Sequence, residues 1–329
     1  MGLKVVIVGG VAGGASAAAR LRRVDEKAEI VLFEKGEYIS FANCGLPYYI
    51  GGVISEKEKL LVQTPQGMGK RFHIDIRVKT QVTKINIESK TVTVKEVLTG
   101  KTYEESYDKL ILSPGAEPVR PPIPGIDNAK IFTLRNIPDT YKIKDYIDRY
   151  QPKSAVIVGA GFIGLEMAEN LHLLGIKTAV VELSSHVIGA LDFDMAAIVH
   201  QHLKAKGIDL YLENGVNAFE DDGKVLSVKL NKGDTIATDM VIMGVGVRPE
   251  TKLAAEAGLA IGNKCRPPTK ISMPWATQWR LPISSAAQRL SSPLQGPPTS
   301  RAELLPTTFP DVLTASKAHR GPLSSRCLI

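Results

Sequence analysis

"SAVIVGAGFIGLEMAENLHLLGIKTAVVELSS", residues 154–185, reads as one device: a short apolar strand, a glycine turn, a helix and a second apolar strand. Gly159, Gly161 and Gly164 follow the first strand at G-x-G-x-x-G spacing, and Glu182 closes the second strand about 20 residues on. The first glycine permits a tight turn, the second lets backbone approach a pyrophosphate, and the third lets helix and strand pack closely. The acid takes a ribose hydroxyl, while the phosphates sit at the helix N-terminus. Glu182 would also repel a ribose 2′-phosphate, which favours NADH over NADPH.

An earlier copy lies at the start of the chain. "LKVVIVGGVAGGASAAARLRR", residues 3–23, supplies a buried strand over Val5 to Val8, a glycine turn and an Ala-rich helix. "AEIVLFEKG", residues 28–36, adds a strand ending at Glu34. Gly9 and Gly14 occupy the first and third glycine positions, but Val11 stands at the second, with Gly13 nearby. Two βαβ units imply two dinucleotides, and a nicotinamide hydride can pass to a flavin that hands electrons to sulfur. Between them, "YDKLILSPGAEPVRPPIPG", residues 107–125, is a strand followed by a Pro/Gly-rich crossing, and "DMVIMGVGVRPET", residues 239–251, reads as the matching exit strand.

Composition bounds the rest. With 329 residues and 44% apolar content the chain can bury cores of ordinary size. No run of about 18 apolar residues appears, so no membrane span is expected. Nor is a secretory leader expected, because the apolar run after Lys4 is broken by Gly9-Gly10 and leads into Arg20, Arg22 and Arg23. The net charge of +7 suggests no nucleic-acid partner, since the residues from Cys265 onward hold eight Lys/Arg against two Asp/Glu. Three cysteines give no disulfide framework, which favours a reducing cytoplasm, and no metal-binding cluster is evident.

One of those cysteines sits in "SFANCGLPYYIGG", residues 40–52. Together with the first glycine turn, "LILSPGAEP", "VIVGAGFIGLE" and "GVGVRP", it makes residues 3 to 252 resemble the pyridine nucleotide-disulfide oxidoreductase family, in its single-cysteine branch. Dithiol members carry C-x4-C, whereas the position five after Cys44 is Tyr49. A single thiolate can form a mixed disulfide with a small thiol or cycle through sulfenic acid.

The resemblance implies an α/β fold of two Rossmann-like domains of three-layer ββα form, with an NAD(P)H-binding domain (121–245) inserted in an FAD-binding domain (1–120, returning at 246–264). It implies FAD contacts at Gly9, Gly10, Val11, Ala12, Gly13 and Gly14, at Glu34 and Lys35, at Val82, and at Ser113, Pro114 and Gly115. It implies nicotinamide-dinucleotide contacts at Gly159, Gly161, Phe162, Ile163, Gly164, Glu166, Glu182, Gly244 and Gly246. Cys44 is then catalytic, Ser40 and Asn43 line a thiol-substrate pocket, and Arg20 and Arg23 hold coenzyme A phosphates. Intact members are homodimers. The implied activity is reduction of a coenzyme A disulfide or persulfide by NADH or NADPH. NADH oxidase or peroxidase chemistry uses the same residues, and a truncated, non-catalytic nucleotide-binding remnant is a third reading.

The remnant reading arises from residues 265–329, which hold ten of the twenty prolines and both tryptophans without any helical or strand period. Back-translating "CRPPTKISMPWATQW", residues 265–279, and regrouping the bases one position earlier permits "MQTSDKDIYAVGDAV". Met273-Pro274 then compels an alanine codon and Trp275-Ala276 a glycine codon. The expectation is a frame shift after Lys264, giving an irregular out-of-frame tail and no native dimer for this chain. Resequencing the locus decides it.

Overall fold

The two glycine turns each lie at the end of a strand that needs burial on both faces, and the fold supplies that burial twice in the same way. The computed structural model describes residues 2–259 and 261, all within one compact unit. In the first half, Lys4–Val8 is flanked on one side by Glu29–Phe33 and Asp75–Arg77 and on the other by Lys109–Leu112. All four strands run parallel. Val5 and Ile7 point to a helical face that includes Ala15, Ala18 and Met68. Val6 and Val8 point the other way, onto Val82, Val92 and Val94. Those three belong to an antiparallel meander of Thr80–Asn86, Thr91–Glu96 and Thr102–Ser106. A strand covered on both sides reads as a continuous apolar run, which is why these strands stand out in the sequence.

The second half repeats the plan. Its parallel sheet runs Asp209–Tyr211, Lys177–Val181, Ser154–Val158, Met240–Met243, Ile131–Thr133. Ala155 and Ile157 pack on the helix side with Met167 and Leu171. Val156 and Val158 pack on a meander of Val216–Asp221, Leu226–Leu230 and Thr235–Thr238 through Phe219 and Val228. Both halves are therefore three layers deep: meander, parallel sheet, helices.

The stretch 239–251 is not one exit strand. Met240–Met243 is an inner strand of the second sheet, and Val247–Pro249 pairs antiparallel with Ala116–Pro118, so the two crossings between the halves lie side by side. Gly244 and Gly246 separate the two pieces, and Gly246 holds φ of +108°, a conformation that side chains resist. Beyond the crossing, the helix Lys252–Glu256 returns to the first half, where Ala254 enters the core beside Val92 and Leu110. The expectations for 265–329 lie outside the described residues.

Candidate active site

In each half the central strand ends beside the neighbour whose connection leaves in the other direction, the place where open α/β sheets hold ligands. In the first half these ends are Gly9 and Ser113. Gly9 has φ of +93°, and a Cβ there would lie 2.0 Å from the Ser113 carbonyl oxygen. A Cβ on Gly14 would lie 1.7 Å from the Gly9 oxygen, so the third glycine sets how closely helix Ala12–Val24 approaches the strand. That helix has Val11 as its N-cap, no side-chain cap bond and no acid in its first turn. Its leading N–H groups are left for an anion.

Glu34 lies just past the strand, 8% exposed. Its Oε2 accepts from Gly10 N–H at 2.8 Å and its Oε1 from Gly36 N–H at 2.7 Å. A carboxylate has lone pairs left for ribose hydroxyls. Ser113 Oγ is buried without a hydrogen-bond partner, so the turn carries a polar atom that a bound polar group would satisfy. These features fit the phosphates and ribose of a dinucleotide. Gly10 and Gly14 are buried here and Gly13 is half-buried, while Ala12 is exposed. Lys35 is engaged in an ion pair with Glu117 at 2.8 Å, and Gly115 holds φ of +80° beside half-buried Pro114. Val82 spends its side chain on the sheet–meander core, which leaves only its backbone for a ligand.

The second turn repeats the design with fewer compromises. A Cβ on Gly159 would stand 2.6 Å from the Gly244 oxygen, and one on Gly164 2.0 Å from the Gly159 oxygen. At Gly161 a Cβ would meet nothing within 4 Å. Glu182 Oε2 accepts from Ala160 N–H at 2.7 Å and Oε1 from Ser184 N–H at 2.8 Å, matching Glu34. Helix Phe162–Leu173 again starts without a side-chain cap or an acid. Phe162 and Ile163, 62% and 41% exposed, place apolar surface at the mouth of the turn. Behind them, burial and then Glu169 push the Glu166 carboxyl above its ordinary value.

Cys44 is joined to both halves. Ser40, at φ of +44°, donates its N–H to the Gly10 carbonyl at 3.0 Å, which fastens the segment to the first turn. Asn43 and Cys44 are exposed in the short helical turn Asn43–Gly45. Helix Leu46–Ile50 follows at once, and Leu46, Tyr49 and Ile50 are buried in the same core as Ile143 and Met167 of the second half. The position that holds a resolving cysteine in dithiol relatives is thus a core tyrosine.

The arginines of the first helix have divided roles. Arg22 donates to the carbonyls of Phe72, Asp25, Glu26 and His73, so it is structural. Arg20 and Arg23 are exposed. Arg23 and Ser40 border one groove of about 220 Å³, together with Ser16, Gln63, Arg71 and Phe72. Arg71 was not singled out in the sequence. It comes from helix Pro65–Phe72, and no local motif marks it.

A model of the pyridine nucleotide-disulphide oxidoreductases matches residues 3–270. The chain belongs to that family. Within these oxidoreductases it is 38% identical over 261 residues to coenzyme A disulfide reductase of Staphylococcus haemolyticus, covering 79% of this chain and 58% of that protein. The solved structure of reduced Bacillus anthracis CoADR-RHD is 53% identical with a TM-score of 0.80, covering 83% of this chain and 50% of that one. The NAD-dependent persulfide reductase from A. fulgidus is 34% identical with a TM-score of 0.78, over 83% and 52% of the two chains. The chain therefore spans little more than half the length of the relatives it matches. FAD and a nicotinamide dinucleotide are the cofactors of this family of folds, and both turns fit such ligands. Among the described residues no helix is long and apolar enough to cross a membrane.

Proposed function

We propose that this protein is an FAD-dependent NAD(P)H oxidoreductase that reduces a coenzyme A disulfide or persulfide through Cys44. The observation that carries this reading is the setting of Cys44: exposed, fastened to the first glycine turn through Ser40, packed on the second half through the next helix, and followed at the fifth position by Tyr49 instead of a second thiol. The identities to a coenzyme A disulfide reductase and a persulfide reductase support the substrate class.

In this reading FAD binds at Gly9 to Gly14 with Glu34, and NAD(P)H binds at Gly159 to Gly164 with Glu182 and with Glu166 near the nicotinamide. The two cofactors together supply an electron pair to sulfur. Cys44 thiolate attacks one sulfur of the substrate disulfide, forming a mixed disulfide and releasing one thiolate; the electron pair and a proton then release the second thiol and restore Cys44. Asn43 and Ser40 line the thiol end of the pocket. Arg23 and Arg71 border the groove and, with Arg20 one turn away on the first helix, suit the phosphates of coenzyme A. The domain assignment is 1–120 with 246–264 for FAD and 121–245 for NAD(P)H, and the compartment is a reducing cytoplasm, where the Cys44 thiol persists. Homodimer formation is a property of intact family members; this chain is expected not to form a native dimer.

Turnover assays test the reading directly. With NADH as reductant, coenzyme A disulfide or persulfide is expected to be consumed faster than O2; oxygen consumption that outruns disulfide reduction would assign the cysteine to oxidase chemistry instead. Cofactor choice has its own test. Glu182→Ala removes the charge that repels a ribose 2′-phosphate and is expected to narrow the preference for NADH by about tenfold, about 1.4 kcal/mol. Steady-state kcat/KM ratios for the two reductants measure this, and a wild type that already prefers NADPH refutes the premise.

A further inference from the structure

Helix Leu46–Ile50 is five residues long, too short to persist without tertiary support. Cys44 lies two residues before it, in the turn Asn43–Gly45 that runs straight into the helix, so whatever holds this helix also holds the thiol. Much of that support converges on one ring. Tyr141, on helix Ile137–Tyr150 of the second half, meets Tyr49 with ring centroids 5.9 Å apart and Tyr38 edge-on at 6.4 Å. Lys57 places its ammonium 4.5 Å from the centre of the same ring. Tyr38 lies before Cys44 in the chain, and Tyr49 and Lys57 lie after it, so the cysteine segment is gripped from both sides by a residue of the other half. Aromatic pairs at these separations and a cation over a ring face are both attractive geometries. Burial and the two neighbouring tyrosines push the Tyr141 hydroxyl up to about 12, so it stays neutral through the working range.

The far end of the same helix is seated just as closely. Gly51 follows Ile50, and a Cβ on it would stand 2.2 Å from Asn170 Oδ1 on helix Phe162–Leu173. Asn170 is fully buried, and its amide nitrogen donates to the Glu166 carbonyl at 2.8 Å. Asn170 Oδ1 has no hydrogen-bond partner and lies against the Gly51 backbone, where the missing side chain leaves space for it. The helix after Cys44 is therefore held by two helices of the second half, through Tyr141 on one and Asn170 on the other.

We propose that Tyr141 is a positioning residue for Cys44: by gathering Tyr38, Tyr49 and Lys57 on one ring it fixes the cysteine turn between the two dinucleotide sites. This rests on Cys44 being the redox centre. Tyr141 touches neither substrate nor cofactor in this role and acts only through the turn.

The test compares Tyr141→Leu, Tyr141→Phe and Gly51→Ala in the full chain. The first readout is iodoacetamide modification across a pH series, followed on the tryptic peptide that contains Cys44. The second is amide exchange at 43–52 against the sheet strand 154–158. Tyr141→Leu is expected to speed exchange at 43–52 about tenfold while leaving 154–158 as in wild type, and to shift the pH midpoint of Cys44 modification. Tyr141→Phe, which keeps the ring, is expected to restore both. Gly51→Ala reaches the same helix from its other end and is expected to reproduce the Leu result, with Gly51→Ala/Asn170→Ala relieving it. Unchanged exchange and an unchanged pH profile in Tyr141→Leu overturn the proposal. So does faster exchange spread equally over 154–158, which marks a general loss of stability. If Tyr141→Leu does not fold, Tyr38→Leu and Lys57→Ala, which each strip one partner from the Tyr141 ring on opposite sides of Cys44, decide by the same two readouts: unchanged exchange and pH profile in both overturn the proposal. Failure of the underlying reading looks different: Cys44→Ser would keep its reductase activity while the exchange differences persisted.

Discussion

Cys44→Ser is expected to lower disulfide turnover by at least about 10³-fold while leaving FAD absorbance and NAD(P)H affinity within twofold of wild type. The asymmetry follows from where the parts sit. Serine has nearly the shape of cysteine, and the exposed 43–45 turn has room for it. A hydroxyl, however, is far less acidic than a thiol and forms no mixed disulfide, so the attacking group is removed without disturbing its surroundings. Tyr49 provides no substitute thiol, and neither glycine turn uses the Cys44 side chain for packing. Steady-state kinetics with a coenzyme A disulfide, alongside the flavin spectrum of the same preparation, give both numbers. Full reductase activity in the variant would move the nucleophile elsewhere. Loss of flavin together with activity would show that Cys44 serves the fold.

What the sequence disclosed, and what it concealed, follows from the range of the interactions involved. The strands at Lys4–Val8 and Ser154–Val158 and the helices after them were legible because each is a local pattern: apolar run, glycine, helical period. Glu34 and Glu182 were legible for the same reason, each lying one residue past its strand. The meanders were less so. Thr80–Asn86 buries only Thr80, Val82 and Ile85, a broken alternation that includes a register shift at Val82/Lys84, and only the family resemblance supplied the third layer. Residues 239–251 looked like a single strand because Gly244 and Gly246 interrupt an apolar run without ending it.

The site was half legible. Ser40, Asn43 and Cys44 fall within five residues, and Arg20 and Arg23 lie one turn apart on one helix. The family resemblance picks those two over Arg22, and the fold supplies a physical reason for passing over Arg22, whose guanidinium lies on the Phe72 and His73 carbonyls. Arg71 and Tyr141 could not be found by pattern. Each reaches the cysteine region from a helix far along the chain, and their partners are set by tertiary packing alone.

The second glycine turn yields the other large effect, because its glycines are required for different reasons. Gly164 is a packing glycine: a Cβ would stand 2.0 Å from the Gly159 oxygen, a backbone atom that cannot rotate away. Gly164→Ala must push helix Phe162–Leu173 off strand Ser154–Val158, and this overpacking costs about 1–3 kcal/mol. Because that helix also supports Leu46–Ile50, the damage should extend to the cysteine segment. Gly161 is free of such contacts, with nothing within 4 Å of a Cβ and φ of −75° and ψ of −178°, which any residue adopts. In the proposed reading its glycine serves the ligand, letting the backbone approach a pyrophosphate. Gly161→Ala is therefore expected to leave the melting temperature within about 1 °C of wild type and to weaken NAD(P)H binding by about tenfold or more, since a methyl group would stand where phosphate must come. Gly164→Ala is expected to lower the melting temperature first and binding as a consequence. Thermal melts of the two variants without nucleotide, paired with NADH titrations by protein fluorescence, separate the cases. A Gly161→Ala protein that binds NADH as tightly as wild type would sink the assignment of the second turn to the nicotinamide dinucleotide, however well that turn fits one.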